Sequence, residues 1–381
     1  MKFQILILML CFCLCSTATK SQTLPKAAAK YIQSPEVKPA GAVTFRFLAP
    51  HAKKVLLIMD DGKLRNMTMD TAGVWSYIAV FSPDIYRYTF SVDGNVLPDP
   101  NNPFIKPLFM RALGQSLVLV PGEDALTWQV RDVPHGQLNQ HFYSSKIVGD
   151  HRDFRVYTPP GYDPKRKEPY PVLYLFHGIT DETSAWITAG REHVIMDNLL
   201  AEGKAVPMVI VNTLGYGAPE MFDPAVANGR TPEALKKNEE LFIASLLKEV
   251  MPMIDTLYNV GRSKDYRAVA GLSMGGGQSL DAGLNHPELF SYVGGFSPAV
   301  ILLNPDYSKA FPKLNASVNK DFKLVWIAIG KDDYLLESTR KFRDWLQEKK
   351  IRFSYTETEG VHSYNVWRRY LSTFAPLLFK K

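Results

Sequence analysis

The chain has 381 residues, 46% of them apolar, and a net charge of +6 drawn from 44 basic and 38 acidic side chains. That length exceeds one ordinary domain and the apolar content is ample for a core, so two folded units are expected. Charges so evenly mixed, with no long basic run, argue against a nucleic-acid or membrane-surface partner.

The chain begins with Lys2, an apolar stretch from Phe3 to Cys15, and the small residues Ser16, Thr17 and Ala18. A stretch that short does not span about 30 Å of bilayer hydrocarbon. Its layout is that of a secretory signal peptide. Residues 1–21 are therefore expected as a leader, and the protein as exported: periplasmic, secreted or surface-anchored. Cleavage after Ala18, cleavage after Ser21 and lipidation of Cys15 all remain open. The three cysteines, Cys11, Cys13 and Cys15, all lie in this leader. The remainder thus lacks a disulfide framework, a thiol nucleophile and cysteine zinc ligands. The eight histidines are scattered with no HExxH pair, which leaves a metallohydrolase unsupported.

From Ala42 to about Pro103, within an N-terminal domain expected over 24–121, short apolar runs alternate with turn formers: VTFRFLAP, KKVLLIMD, GVWSYIAV and YRYTFSVDG, the last with Tyr86, Tyr88 and Phe90 on one face. Period-two patterning of this kind predicts a small β-sandwich. No pair of carboxylates or histidines there suggests chemistry. A boundary is expected near 120–137, and VRDVPHGQLNQHFYSS reads as a connecting segment.

Over 137–381 the texture becomes continuous apolar strands alternating with amphipathic helices. PVLYLFHG, PMVIVNT, YRAVAGL, SYVGGFSP, KLVWIAIG and IRFSYTE (351–357) are strand candidates. NEELFIASLLKEVMPMIDTLY and ESTRKFRDWLQEKK are helical candidates. The pattern predicts an α/β domain with a mostly parallel central sheet covered on both faces. Ligands of such sheets lie beyond the carboxyl ends of the strands.

Directly after the third of these strands comes Gly271-Leu272-Ser273-Met274-Gly275, a G-x-S-x-G nucleophile elbow followed by a predicted helix. Glycines flank the serine because side chains there would collide across so tight a turn. There is neither GxGxxG spacing nor a following lysine, so dinucleotide and P-loop readings lose. A serine hydroxyl needs a base, and the base an orienting acid. In the α/β-hydrolase order the acid and then the histidine follow the serine. Asp332 and Asp333 stand just past KLVWIAIG, and His362 stands five residues past the last strand. For the oxyanion, the backbone N–H of Met274 at the helix start and that of Ile179, after His177-Gly178, are the candidate donors. His177 is assigned a structural part, since His362 is better placed to act as base. The chemistry requires no metal or organic cofactor.

With FRVYTPPGYD, YLFHGITDETSAW, AGLSMGGGQSL, IGKDD and GVHSYNVW, the region 137–381 resembles carbohydrate esterase family 1, the feruloyl and acetyl-xylan esterases of the α/β-hydrolase fold. The N-terminal part is similar to the early-set, carbohydrate-binding-like immunoglobulin sandwich that precedes some members. The resemblance implies Ser273 as nucleophile and His362 as base, and its G-x-x-D pattern favours Asp333 over Asp332. Where the family often carries a second glycine in the oxyanion loop, this chain has Thr180. The resemblance also implies an acylated plant cell-wall polysaccharide or oligosaccharide as substrate, with the acyl group, feruloyl or acetyl, left open. Trp186 and Tyr216 are candidate substrate contacts, and Phe222 and Trp367 are further aromatics near the predicted site. Acyl transfer, siderophore ester hydrolysis and an inactive carbohydrate-binding chain are the competing functions.

Overall fold

A computed structural model describes residues 32–110, 113–122, 126–219, 231–302 and 306–380. The expected leader and Phe222 lie outside the described residues. Gln33–Lys381 forms one unit built from two architectures.

The first architecture is all β. Its strands are β1 (Glu36–Val37), β2 (Ala42–Leu48), β3 (Val55–Met59), β4 (Leu64–Asn66), β5 (Thr68–Met69), β6 (Val74–Val80), β7 (Asp84–Val92), β8 (Asn95–Leu97), β9 (Ile105–Lys106) and β10 (Gln115–Val120). They form one sheet in the order β1-β2-β6-β5 and a second in the order β4-β3-β7-β10-β9, with β8 beside β7. Period-two burial follows from the pleat: Val55, Leu57 and Met59 of β3 point inward while Leu56 and Ile58 are half-exposed. Val43, Phe45, Leu57, Tyr88, Phe90 and Val118 meet between the sheets.

The second architecture is an α/β-hydrolase fold. Its strands are β11 (Gln137–Ser144), β12 (His151–Thr158), β13 (Val172–Phe176), β14 (Val209–Thr213), β15 (Arg267–Leu272), β16 (Tyr292–Phe296), β17 (Leu324–Gly330) and β18 (Ser354–Thr358). The order is β11-β12-β14-β13-β15-β16-β17-β18. The pairs β11/β12 and β12/β14 are antiparallel, and the rest of the sheet is parallel. The parallel strands are buried on both faces, so their side chains alternate between two cores. From β13, Leu173 and Leu175 enter one core while Val172, Tyr174 and Phe176 enter the other.

The helices are α1 (Ala185–Thr188), α2 (Glu192–Ala201), α3 (Pro232–Ser245), α4 (Met251–Leu257), α5 (Met274–Asn285), α6 (Tyr307–Ala310), α7 (Leu336–Glu348) and α8 (Tyr364–Phe374). The core shared by α1, α2 and α8 also takes Ile85 from β7 and Leu117 from β10. The sandwich therefore closes one face of the hydrolase core as well as its own.

Three elements differ from expectation. The segment expected to connect the domains carries β11, an edge strand whose side chains are exposed or half-exposed throughout, so it shows no apolar alternation. The single helix expected over 238–258 begins earlier, at Pro232 with Thr231 capping the Ala234 N–H. It is then interrupted by a π-helical stretch, Leu246–Val250, next to Pro252; proline has no N–H for the helical ladder. Finally, β18 starts at Ser354, because the N–H groups of Lys350 and Ile351 bond to Gln347 and Leu346 in closing α7.

Candidate active site

Phe176, Leu272, Phe296, Gly330 and Thr358 end five neighbouring parallel strands on one rim. Chemistry-bearing residues follow four of those ends. The turn after β15 is the tightest. Ser273 has φ +54° and ψ −118°, a left-handed conformation costly for any residue with a Cβ. Its neighbours explain how the turn closes. A Cβ on Gly271 would stand 2.3 Å from the Gly275 carbonyl oxygen, and one on Gly275 would stand 2.5 Å from that of His177. No real side chain tolerates such contacts with backbone.

His362 lies in the loop after β18, and its Nε2 is 2.9 Å from Ser273 Oγ. Its Nδ1 is 2.8 Å from Asp333 Oδ2. The other carboxylate oxygen, Oδ1, accepts the Leu335 N–H at 2.9 Å. Asp333 is buried, whereas Asp332 is exposed, which separates the two candidates. With the carboxylate accepting from Nδ1–H, the Nε2 lone pair faces the serine hydroxyl. Such a geometry can accept the Oγ proton as the oxygen attacks an electrophile. Two rings contact the imidazole: that of Trp367, perpendicular to it with centroids 4.8 Å apart, and that of Tyr334, tilted at 4.5 Å. Trp367 is itself fixed by an indole N–H bond to Ser297 Oγ at 3.1 Å. Tyr334, 73% exposed, stands at the mouth of the site. Sequence reasoning passed over it, although its position directly after the acid is the signal that points to it.

The loop after β13 rests on this elbow. The Gly275 N–H donates to the His177 carbonyl at 3.1 Å, and a Cβ on Gly178 would lie 3.4 Å from that of Ser273. Among the described residues, neither the Ile179 nor the Met274 N–H has an acceptor. Met274 opens α5, where the N-terminal end of the helix favours negative charge. The side chains of both residues join an apolar cluster with Leu214, Tyr216, Phe109 and Leu302.

His177 is buried and serves the loop rather than the reaction. Gly215 N–H donates to its Nε2 at 3.0 Å, so the proton sits on Nδ1, which donates to the Gly178 carbonyl at 2.8 Å. Burial pushes its pKa down, keeping it neutral. Four residues on, Asp181 is buried and pairs with the Lys106 ammonium from β9, while Tyr364 donates to its Oδ2 at 2.8 Å. Burial alone would raise this carboxyl, but the Lys106 charge beside it holds it below the ordinary carboxylate range.

Two expected substrate contacts require correction. Trp186 is fully buried: its indole N–H donates to the Phe176 carbonyl at 2.9 Å and its ring packs against Phe296 and Tyr364. A short helix turns it inward onto the core. Tyr216 is equally buried, stacked on Phe109 at 4.2 Å and donating to the Asp181 carbonyl at 2.8 Å. Neither offers surface to a ligand. Beside Glu182, just past the 177–181 loop, a cleft of 550 Å³ is lined by Leu108–Met110, Phe142, Asp153 and Glu182. Among the described residues, no group of three or more His, Cys, Asp or Glu side chains is disposed to hold a metal ion. No described helix is long and apolar enough to cross a membrane.

The family model Esterase, described as putative esterase, matches residues 145–378. An endo-1,4-beta-xylanase/feruloyl esterase of Xylanibacter ruminicola is 30% identical over 355 residues, 91% of this chain and 46% of that protein. This chain therefore spans less than half of that relative's length. Among solved structures, a CE1 ferulic acid esterase from Anaeromyces mucronatus superposes with a TM-score of 0.58 at 24% identity, covering 66% of this chain and 93% of the other. The enterobactin esterase from Shigella flexneri superposes with a TM-score of 0.63 at 17% identity, covering 92% and 96%. At these identities the two structures establish a shared fold.

Proposed function

The chain belongs to the Esterase family, and from that premise we propose a serine carboxylester hydrolase that removes feruloyl or acetyl groups from xylan, arabinoxylan or their oligosaccharides, working outside the cytoplasm. The observation that carries the chemistry is the unbroken chain from Ser273 Oγ to His362 at 2.9 Å and from His362 to Asp333 at 2.8 Å, set on a strained elbow. In this reading Ser273 Oγ bonds to the ester carbonyl carbon as its proton passes to His362 Nε2. The carbonyl electron pair moves onto oxygen, which the N–H groups of Ile179 and Met274 receive. Collapse breaks the bond to the sugar oxygen, which takes the proton from His362 and leaves an acyl-serine. Water, deprotonated by the same histidine, repeats the sequence and frees the carboxylic acid. Asp333 holds the tautomer and stabilises the imidazolium.

The xylanase/feruloyl esterase relative supports an aromatic acyl group. The test is product identification after digestion of feruloylated, acetylated arabinoxylan by the wild-type chain beside Ser273→Ala. Ferulate or acetate released by the wild type alone supports the reading; equal release by both removes it. A second reading, siderophore ester hydrolysis, draws on the fold shared with enterobactin esterase across both architectures. A catechol trilactone hydrolysed far faster than methyl ferulate would favour it.

A further inference from the structure

The oxyanion loop is held in part from the N-terminal sandwich. Lys106 of β9 is 1% exposed in its side chain and its ammonium reaches Asp181 of the loop. Three residues later, the Phe109 N–H donates to the Thr180 carbonyl at 2.9 Å. Thr180 itself has φ +69°, where a residue with a Cβ stays only if its surroundings insist. Inside the loop, the Asp181 N–H bonds back to the Gly178 carbonyl at 3.2 Å, closing a turn around Ile179. The second Asp181 oxygen accepts from Tyr364, two residues beyond His362. One carboxylate thus joins the sandwich, the loop bearing the Ile179 N–H, and the helix that follows the base.

We propose that Lys106 is a positioning residue for ester hydrolysis: through Asp181 it fixes the 177–181 loop so that the Ile179 N–H faces the oxygen of the tetrahedral intermediate. This rests on the hydrolase reading above. A donor in an oxyanion hole acts only when charge has developed, and its displacement therefore leaves substrate binding largely intact. Both acylation and deacylation pass through such an intermediate, so kcat and kcat/KM fall together while KM stays. The sandwich is in this sense a working part of the site.

The experiment compares wild type, Ser273→Ala, Lys106→Met, the double variant Lys106→Met/Asp181→Asn, and Leu57→Ala as a sandwich-core control, on a p-nitrophenyl ester well below each Tm. Lys106→Met should lose about 10- to 100-fold in kcat with KM within about twofold. The double variant removes the unpaired buried charge, so it should recover Tm but not kcat. Leu57→Ala should lower Tm and keep kcat. Lys106→Met within twofold of wild-type kcat, or kcat recovering in step with Tm in the double variant, overturns the proposal. A wild-type chain that releases no more p-nitrophenol than Ser273→Ala removes the hydrolase reading instead. In that event amide exchange across 177–183 decides: it should accelerate in Lys106→Met and not in Leu57→Ala, and unchanged exchange in Lys106→Met overturns the loop-positioning claim.

Discussion

Asp333→Asn exchanges one oxygen for an isosteric NH₂, and the structure dictates which way the new amide faces. Oδ1 accepts the Leu335 N–H at 2.9 Å, so the amide oxygen must stay there; an NH₂ in its place would confront a donor with a donor. The NH₂ therefore points at His362 Nδ1, where the carboxylate oxygen sat at 2.8 Å. It donates to Nδ1 and forces the ring proton onto Nε2, which then faces Ser273 Oγ with a hydrogen and no lone pair. The fold is untouched but the base is in the wrong tautomer. Where the same exchange is made in a serine-protease triad, kcat falls about 10⁴-fold. A loss here of about 10³- to 10⁴-fold corresponds to roughly 4–5 kcal/mol of transition-state stabilisation. The assay is kcat on a p-nitrophenyl ester, with Tm and the imidazole nitrogen chemical shifts recorded alongside. Retention of kcat within tenfold, with Tm unchanged, refutes the tautomer argument; so does a larger loss in Asp332→Asn than in Asp333→Asn.

Three other outcomes are expected. Ser273→Gly should abolish hydrolysis yet raise stability by about 1 kcal/mol in urea denaturation, because glycine adopts φ +54° without strain. Arg368 is fully buried and donates to Asp84 Oδ1 at 2.7 Å, to Ile85 O at 2.6 Å and to Ala189 O at 2.6 Å; Arg368→Met should cost about 3–5 kcal/mol by the same measurement. Glu192 is fully buried, and burial pushes its carboxyl up to about 8. Because the folded value lies above the unfolded one, its protonated form contributes stability that is complete below pH 4.5 and declines as pH rises through about 8. Glu192→Gln should therefore be more stable than wild type at pH 8, with the gap closing towards pH 5 in thermal melts.

What could be read from the sequence was whatever leaves a local signature. Continuous apolar runs located the parallel strands because strands covered on both faces admit almost nothing else. The glycines around Ser273 announced the elbow because backbone collision restricts those positions. The edge strand β11, half in solvent, has no such restriction and read as a connector. Trp186 and Tyr216 were misplaced for a related reason: an aromatic near a strand end has the same local pattern whether it faces a ligand or the core. Least legible were Lys106 and Asp181, separated by 75 residues, and Asp84 and Arg368, separated by 284. A buried ion pair and a solvated charge look alike along a chain until both partners are placed.

The guanidinium of Arg368 bears on how such proteins can be recombined. It belongs to the last long helix of the α/β half, yet two of its three acceptors, Asp84 and the Ile85 carbonyl, come from β7. Transplanting either half onto a foreign partner would strand one member of this buried ion pair without its counter-ion. Chimeras cut near residue 120 should therefore refold only when the acceptor aspartate and the arginine travel as a matched set, and shuffling at that seam should yield far fewer soluble products than shuffling within surface loops.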